Sequence, residues 1–119
     1  MCIRDRKNSE RNKILKDAEL LQSAGAFSIV LECVETSLSK MVTKKVNIPT
    51  IGIGASNNCD GQILVFDDLI GLNPINVRFV KKYLSIRREM TKAVASYARD
   101  VKKKKFPLNK HSYLSLIHI

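Results

Sequence analysis

The sequence predicts an α/β fold built on a parallel sheet, and three observations predict it. Residues 26–31 and 50–53 are short, almost continuous apolar runs rich in strand formers, the type expected where both faces of a strand are covered. Between them, residues 35–46 return to helical spacing through Leu38, Met41, Val42 and Val46. Two apolar strands joined by one amphipathic helix make a right-handed crossover, the connection that parallel strands require. The third observation is Glu32, a carboxylate closing the first apolar run where a strand should be driest. Such a charge is costly unless something uses it.

Each element has its own grounds. Residues 17–23 form helix, with Ala18, Leu20 and Leu21 apolar and Gly25 just past the end, where a left-handed cap is wanted. The helix over 35–46 cannot continue through Pro49. The strand over 50–53 runs into the small-residue segment Gly54-Ala55-Ser56-Asn57-Asn58. Cys59-Asp60-Gly61 reads as a turn, residues 62–66 as a third apolar strand, and Gly71-Leu72-Asn73-Pro74 as a loop. Two helices follow. Residues 76–83 carry Val77, Phe79 and Val80 on one side, and residues 87–105 repeat Met90, Val94, Tyr97 and Val101 at helical spacing before Phe106-Pro107 stops them. The second should pack on something. Three strands under four helices leave sheet faces and edges unprotected, so a larger sheet is expected.

Composition narrows the classes. At 119 residues and 45% hydrophobic content the chain can bury a core, and with neither a transmembrane run nor a signal peptide it reads as soluble. A net charge of +10, a pI near 9.8 and the basic run over 102–105 would suit a nucleic-acid binder. Favourable cation placement near a helix C-terminus, a partial chain and an AT-biased genome account for the same charge. No aromatic platform or nucleic-acid motif accompanies it, so no nucleic acid is expected as partner. Gly52-Ile53-Gly54 starts like a dinucleotide fingerprint, but Asn57 breaks it, and tight backbone packing is the better reading. Cys33 and Cys59 lack metal-ligand spacing and read as reduced, buried thiols, while His111 stands alone near the terminus and carries no catalytic claim.

The termini share one nucleotide word. Residues 1–6 can be encoded by ATG TGT ATA AGA GAC AGR, and residues 114–119 by CTG TCT CTT ATA CAC ATC, its reverse complement. The word resembles the transposase mosaic-end adapter of sequencing libraries. Residues 1–6 and 114–119 are therefore expected to be translated adapter, leaving 7–113 as natural sequence from one domain.

Within that span residues 17–113 resemble the ketopantoate hydroxymethyltransferase (3-methyl-2-oxobutanoate hydroxymethyltransferase) family. The resemblance rests on ordered motifs: Ala24-Gly25-Ala26-Phe27, Ile29-Val30-Leu31-Glu32-Cys33-Val34, Ile48-Pro49-Thr50-Ile51-Gly52-Ile53-Gly54-Ala55, Cys59-Asp60-Gly61-Gln62-Ile63-Leu64-Val65 and Asp68-Leu69-Ile70-Gly71-Leu72, then Phe106-Pro107 with His111-Ser112-Tyr113. It implies the C-terminal part, about the last three βα units, of a (βα)8 TIM barrel. It also implies transfer of a hydroxymethyl group from 5,10-methylenetetrahydrofolate to 2-oxoisovalerate in pantothenate biosynthesis, in a cytoplasmic homo-oligomer. The family's Mg2+ would be held by carboxylates on earlier strands, outside this chain, and no folate-binding residue is assigned. A related barrel enzyme of carbon-carbon chemistry and a basic binding module remain the alternatives.

On the residues alone Glu32 is either a base or a strand-end carboxylate that reaches solvent or caps the next helix. Catalytic groups of such barrels stand at the C-terminal ends of strands, and the resemblance makes Glu32 the proton acceptor of the Leu-Glu-Cys-Val motif. Partial burial beside Ile29, Leu31 and Val34 would raise its pKa, whereas a nearby metal would lower it. Three positions depart from the family pattern: Glu35 for a common Pro, Ser56 for Gly and Asp67 for His. Glu35 suits a helix start, Ser56 narrows the freedom of its loop, and Asp67 removes a hydrogen-bonding group near the site.

Overall fold

The computed structural model describes residues 8–113; the expected adapter segments lie outside the described residues. The element order is α1 (Asn8–Ser23), β1 (Ile29–Glu32), α2 (Thr36–Lys45), β2 (Thr50–Ile53), β3 (Gly61–Gln62), α3 (Phe66–Leu69), α4 (Ile86–Lys102) and a single 3-10 turn at Asn109–His111. The three strands form one parallel sheet in the order β1-β2-β3. The α/β class, the parallel sheet and the β1-α2-β2 crossover are those the sequence predicts.

The core lies on one face of that sheet. Strand alternation points Ile29 and Leu31 to the same side. There they join Leu15 and Ala18 of α1 and Leu38 and Val42 of α2, the last two with no exposure at all. This pattern also explains why α1 begins at Asn8, nine residues before the predicted start: Ile14, Leu15 and Ala18 extend the buried stripe upstream. Gly25 (φ 98°) closes α1 as expected, with Gly25 N–H donating to the Gln22 carbonyl and Ala26 N–H to that of Leu21.

A buried polar set fixes the N-terminal end of β2. Thr50 is fully buried, and its N–H donates to Asp60 Oδ2 at 2.8 Å. Its hydroxyl lies 3.1 Å from the same oxygen and 2.8 Å from Thr43 Oγ1. Each buried polar atom therefore has a partner, which removes the cost of placing a threonine there.

Several expectations are corrected. The sheet is covered on one face only, and Val30 on the other is 57% exposed. The third strand is confined to Gly61–Gln62, and Phe66 starts α3 instead of ending a strand. The helix predicted over 76–83 does not form, because the donors that flank it serve other acceptors. Tyr83 N–H donates to the Leu69 carbonyl at 2.8 Å and Ile86 N–H to that of Ile70 at 3.0 Å, filling the open end of α3. The last helix ends at Lys102, three residues before the predicted stop, where Lys104 takes a left-handed conformation and Lys105 N–H donates back to Asp100. Its apolar stripe stays largely open, with Met90, Val94, Tyr97 and Val101 all exposed, and Tyr97 meets the Phe106 ring edge-on with centroids 5.6 Å apart. The radius of gyration is 24.5 Å, whereas a compact domain of this length has about 14 Å.

Candidate functional site

Glu32 is the last residue of β1 and pairs in register with Ile53, the last of β2. Alternation places it with Val30 on the open face of the sheet, where Ile51 and Ile53 are their register partners. The carboxylate thus stands at the C-terminal edge of an apolar surface. Its side chain is exposed rather than partly buried as expected, and it makes no hydrogen bond or ion pair among the described residues.

The chain leaves the sheet immediately after Glu32. Cys33 has φ 52°, a left-handed conformation uncommon outside glycine, while its N–H still donates to the Ile53 carbonyl at 2.9 Å. Such a residue costs on the order of 1–3 kcal/mol and persists where its surroundings over-determine it. The turn makes Glu32 the final side chain of the strand. Cys33 is half-buried rather than fully buried, and Cys59 is buried.

Capping of α2 falls to Glu35, which leaves Glu32 out of that role. The Glu35 carboxylate accepts from the N–H groups of Ser37 (2.8 Å) and Leu38 (3.1 Å) and from the Ser37 hydroxyl. Arg11 of α1 donates to it at 2.9 Å and to Ser37 Oγ at the same distance. The Ser37 hydroxyl, the Ser37 N–H and then Arg11 lower the Glu35 pKa from 4.5 to about 2, against a small opposing effect of burial. Glu35 therefore makes a side-chain cap that ties α1 to α2. Sequence reading finds the helix start but misses Arg11, whose partner lies 24 positions away.

A pH dependence follows with a definite sign. Because the folded carboxyl titrates below its ordinary value, its stabilising effect is complete above 4.5 and is lost as pH falls from 4.5 through about 2. Amide exchange at Ser37 and Leu38 is expected to accelerate across that window in wild type and to lose this step in Glu35→Gln. An unchanged profile in the variant would refute the cap.

The other departures lie near the same strand ends. Ser56 is buried, and its hydroxyl accepts from Asn58 N–H at 3.1 Å and from Asn58 Nδ2 at 2.9 Å. Its carbonyl accepts from Gln62 Nε2 at 2.6 Å. Ser56 thereby fastens the loop between β2 and β3. Asp67 lies in α3 and is exposed, and its carbonyl accepts from Leu72 and Asn73. Gly52 sits against Gln62 and Cys59, where a Cβ would come within 3.0 to 3.2 Å. That matches tight packing, not a dinucleotide loop. Phe79, which sequence reading treats only as a helix-face residue, lies over Gly54 just past the end of β2.

No three of the His, Cys, Asp and Glu side chains gather to hold a metal ion among the described residues. Asp60 is engaged at the opposite end of β2, and Glu32 stands alone at its end. These residues do not supply a donor set for Mg2+. Nor is any helix among them long and apolar enough to cross a membrane.

A sequence model for ketopantoate hydroxymethyltransferase matches residues 2–109. The 3-methyl-2-oxobutanoate hydroxymethyltransferase of Pelagibacter ubique (strain HTCC1062) is 59% identical over 105 residues, which are 88% of this chain and 41% of that protein. The protein of the same name from Clostridium botulinum (strain Alaska E43 / Type E3) is 42% identical over 112 residues, 93% of this chain and 41% of its own. That from Thermosipho melanesiensis (strain DSM 12029 / CIP 104789 / BI429) is 44% identical over 112 residues, covering 93% and 42%. The chain spans about two-fifths of the length of the curated relatives it matches.

Proposed function

The chain belongs to the ketopantoate hydroxymethyltransferase family, and from that premise we propose that it carries the base of a hydroxymethyl transfer to 2-oxoisovalerate. The observation that carries this reading is Glu32: among the described residues, an unpartnered carboxylate ending a strand, on an apolar face that no described helix covers. A carboxylate so placed has its oxygens available to a substrate instead of to the fold. In the full-length enzyme the open face would turn to the interior of a (βα)8 barrel, with β1, β2 and β3 as its last three strands.

The chemistry assigned to Glu32 is proton transfer. One carboxylate oxygen takes the proton from C3 of 2-oxoisovalerate, next to the ketone, and the electron pair of that C–H bond becomes the enolate. The enolate carbon then bonds to the one-carbon unit delivered by 5,10-methylenetetrahydrofolate. Of that unit's two bonds to folate nitrogen, one gives way to the new C–C bond and the other to a hydroxyl from water. The nitrogens take up the proton held by Glu32 and the one left by the water, and ketopantoate and tetrahydrofolate result. Val30, Ile51 and Ile53 flank the carboxylate with apolar groups suited to the branched end of the substrate. Mg2+ belongs to the family reading, but no donor set for it exists among the described residues, so no step here passes through it. A cytoplasmic homo-oligomer completes the proposal.

Hydrogen exchange tests it without the folate. Full-length enzyme carrying this sequence, incubated with 2-oxoisovalerate in D2O, is expected to exchange the C3 hydrogen, read by proton NMR. When 5,10-methylenetetrahydrofolate is added, ketopantoate should form. Neither exchange nor product would refute the reading.

A further inference from the structure

At the start of α4 a cleft of about 420 Å³ is lined by Lys82, Ser85, Arg87, Arg88, Thr91 and Lys92. Four of these six side chains are cationic. Among the described residues the acidic group that pairs with them is Glu89, shared between Arg88 at 3.5 Å and Lys92 at 3.4 Å. Lys82 and Arg87 have no ion-pair partner among the described residues. The cleft therefore keeps a surplus of positive charge, to which the amino-terminal end of the 17-residue α4 adds its dipole.

Backbone contacts fix the walls of this cleft. Tyr83 and Ile86 donate to the last carbonyls of α3, and the Leu84 carbonyl approaches Gly71 so closely that a Cβ there would collide with it. Gly71, at φ 71°, also lines the cleft. Arg87, Arg88, Thr91 and Lys92 share one face of α4, whereas Met90, Val94, Tyr97 and Val101 occupy the other. A partner for the apolar stripe would leave the cleft open. Its floor begins just beyond α3, which starts four residues after β3 ends, at the same end of the sheet as Glu32.

We propose that this cleft holds the γ-linked glutamyl tail of the folate co-substrate, a flexible chain bearing one carboxylate per residue. The inference rests on the folate-dependent reading above. Spaced Arg and Lys groups suit such a ligand: guanidinium forks take carboxylates bidentately, and lysines follow a chain as point charges. The side chains are exposed, so each contact is screened and the gain should grow with the number of carboxylates.

Two measurements on the full-length enzyme test the site. Calorimetric titration is expected to show tetra-γ-glutamate binding about tenfold more tightly than glutamate, corresponding to ~1.4 kcal/mol, and weakening as salt is raised. The paired variant Lys82→Ser/Arg87→Ser should abolish that difference. In turnover, the tetraglutamyl donor should have a KM about tenfold below that of the monoglutamyl donor, and the paired variant should lose this preference without changing kcat for the monoglutamyl form. Equal affinity for glutamate and tetra-γ-glutamate overturns the proposal, as does a preference that survives in the variant. Inorganic phosphate binding as tightly as the tetrapeptide would likewise overturn it. Length-dependent peptide binding that the variant abolishes supports the site even in an enzyme that transfers no one-carbon unit, so the two readings fail separately.

Discussion

Replacing Glu32 by Gln in the full-length enzyme is expected to lower kcat for ketopantoate formation by about 10²–10⁴-fold, the range that a positioned base contributes. The amide keeps the size and shape of the carboxylate but does not accept a proton at working pH. Little else should change. Glu32 is exposed and makes no hydrogen bond or ion pair among the described residues, so its replacement removes no contact that the fold uses. The unfolding midpoint should remain at the wild-type value, and C3 exchange of 2-oxoisovalerate in D2O should disappear together with turnover. A variant that keeps kcat within a factor of a few, or raises KM alone, would reduce Glu32 to a binding group.

The parts of this fold that could be read in sequence are those governed by local chemistry. The span of β2 matches the apolar run over 50–53 at both ends because Pro49 and Gly54 bound it. The limits of α2 lie one residue inside the predicted ones, with Glu35 and Val46 as its caps. The misreadings come from partners distant in sequence. Residues 76–83 have helical spacing, but Tyr83 and Ile86 give their amides to α3. Residues 63–65 have a strand's composition, yet regular pairing with β2 ends at Gln62. Apolar composition could not distinguish a strand covered on both faces from one covered on a single face, because Val30 is as apolar as Ile29 and Leu31.

The candidate site divides in the same way. Glu32 was legible because a charge ending an apolar run is an exception that periodicity exposes. Arg11 and Phe79 were not, since each acquires its role only when folding brings it to Glu35 or to Gly54. The cationic cleft was legible only as an excess of charge. Its shape depends on the Leu84 carbonyl approaching Gly71, a contact with no periodic signature.

The 119-residue chain on its own is expected to be inactive and to associate. Its sheet ends in β1, whose outer edge carries no paired strand among the described residues, and an unpaired apolar edge is a template for another chain. The open face adds to this: Val30 is 57% exposed, and Phe27 beside the strand is 87% exposed. Buried apolar surface contributes roughly 25 cal/mol per Å², so covering these groups and the stripe on α4 favours assembly. Sedimentation velocity at increasing concentration should show species larger than the monomer. Val30→Lys should reduce them without loosening the core, because Val30 faces away from α1 and α2. Co-expression with the complementary portion of a relative should suppress association and restore turnover, provided Glu32 is intact. A chain that stays monomeric at all concentrations would refute the assignment of this edge and face to a larger sheet, since neither would then need covering.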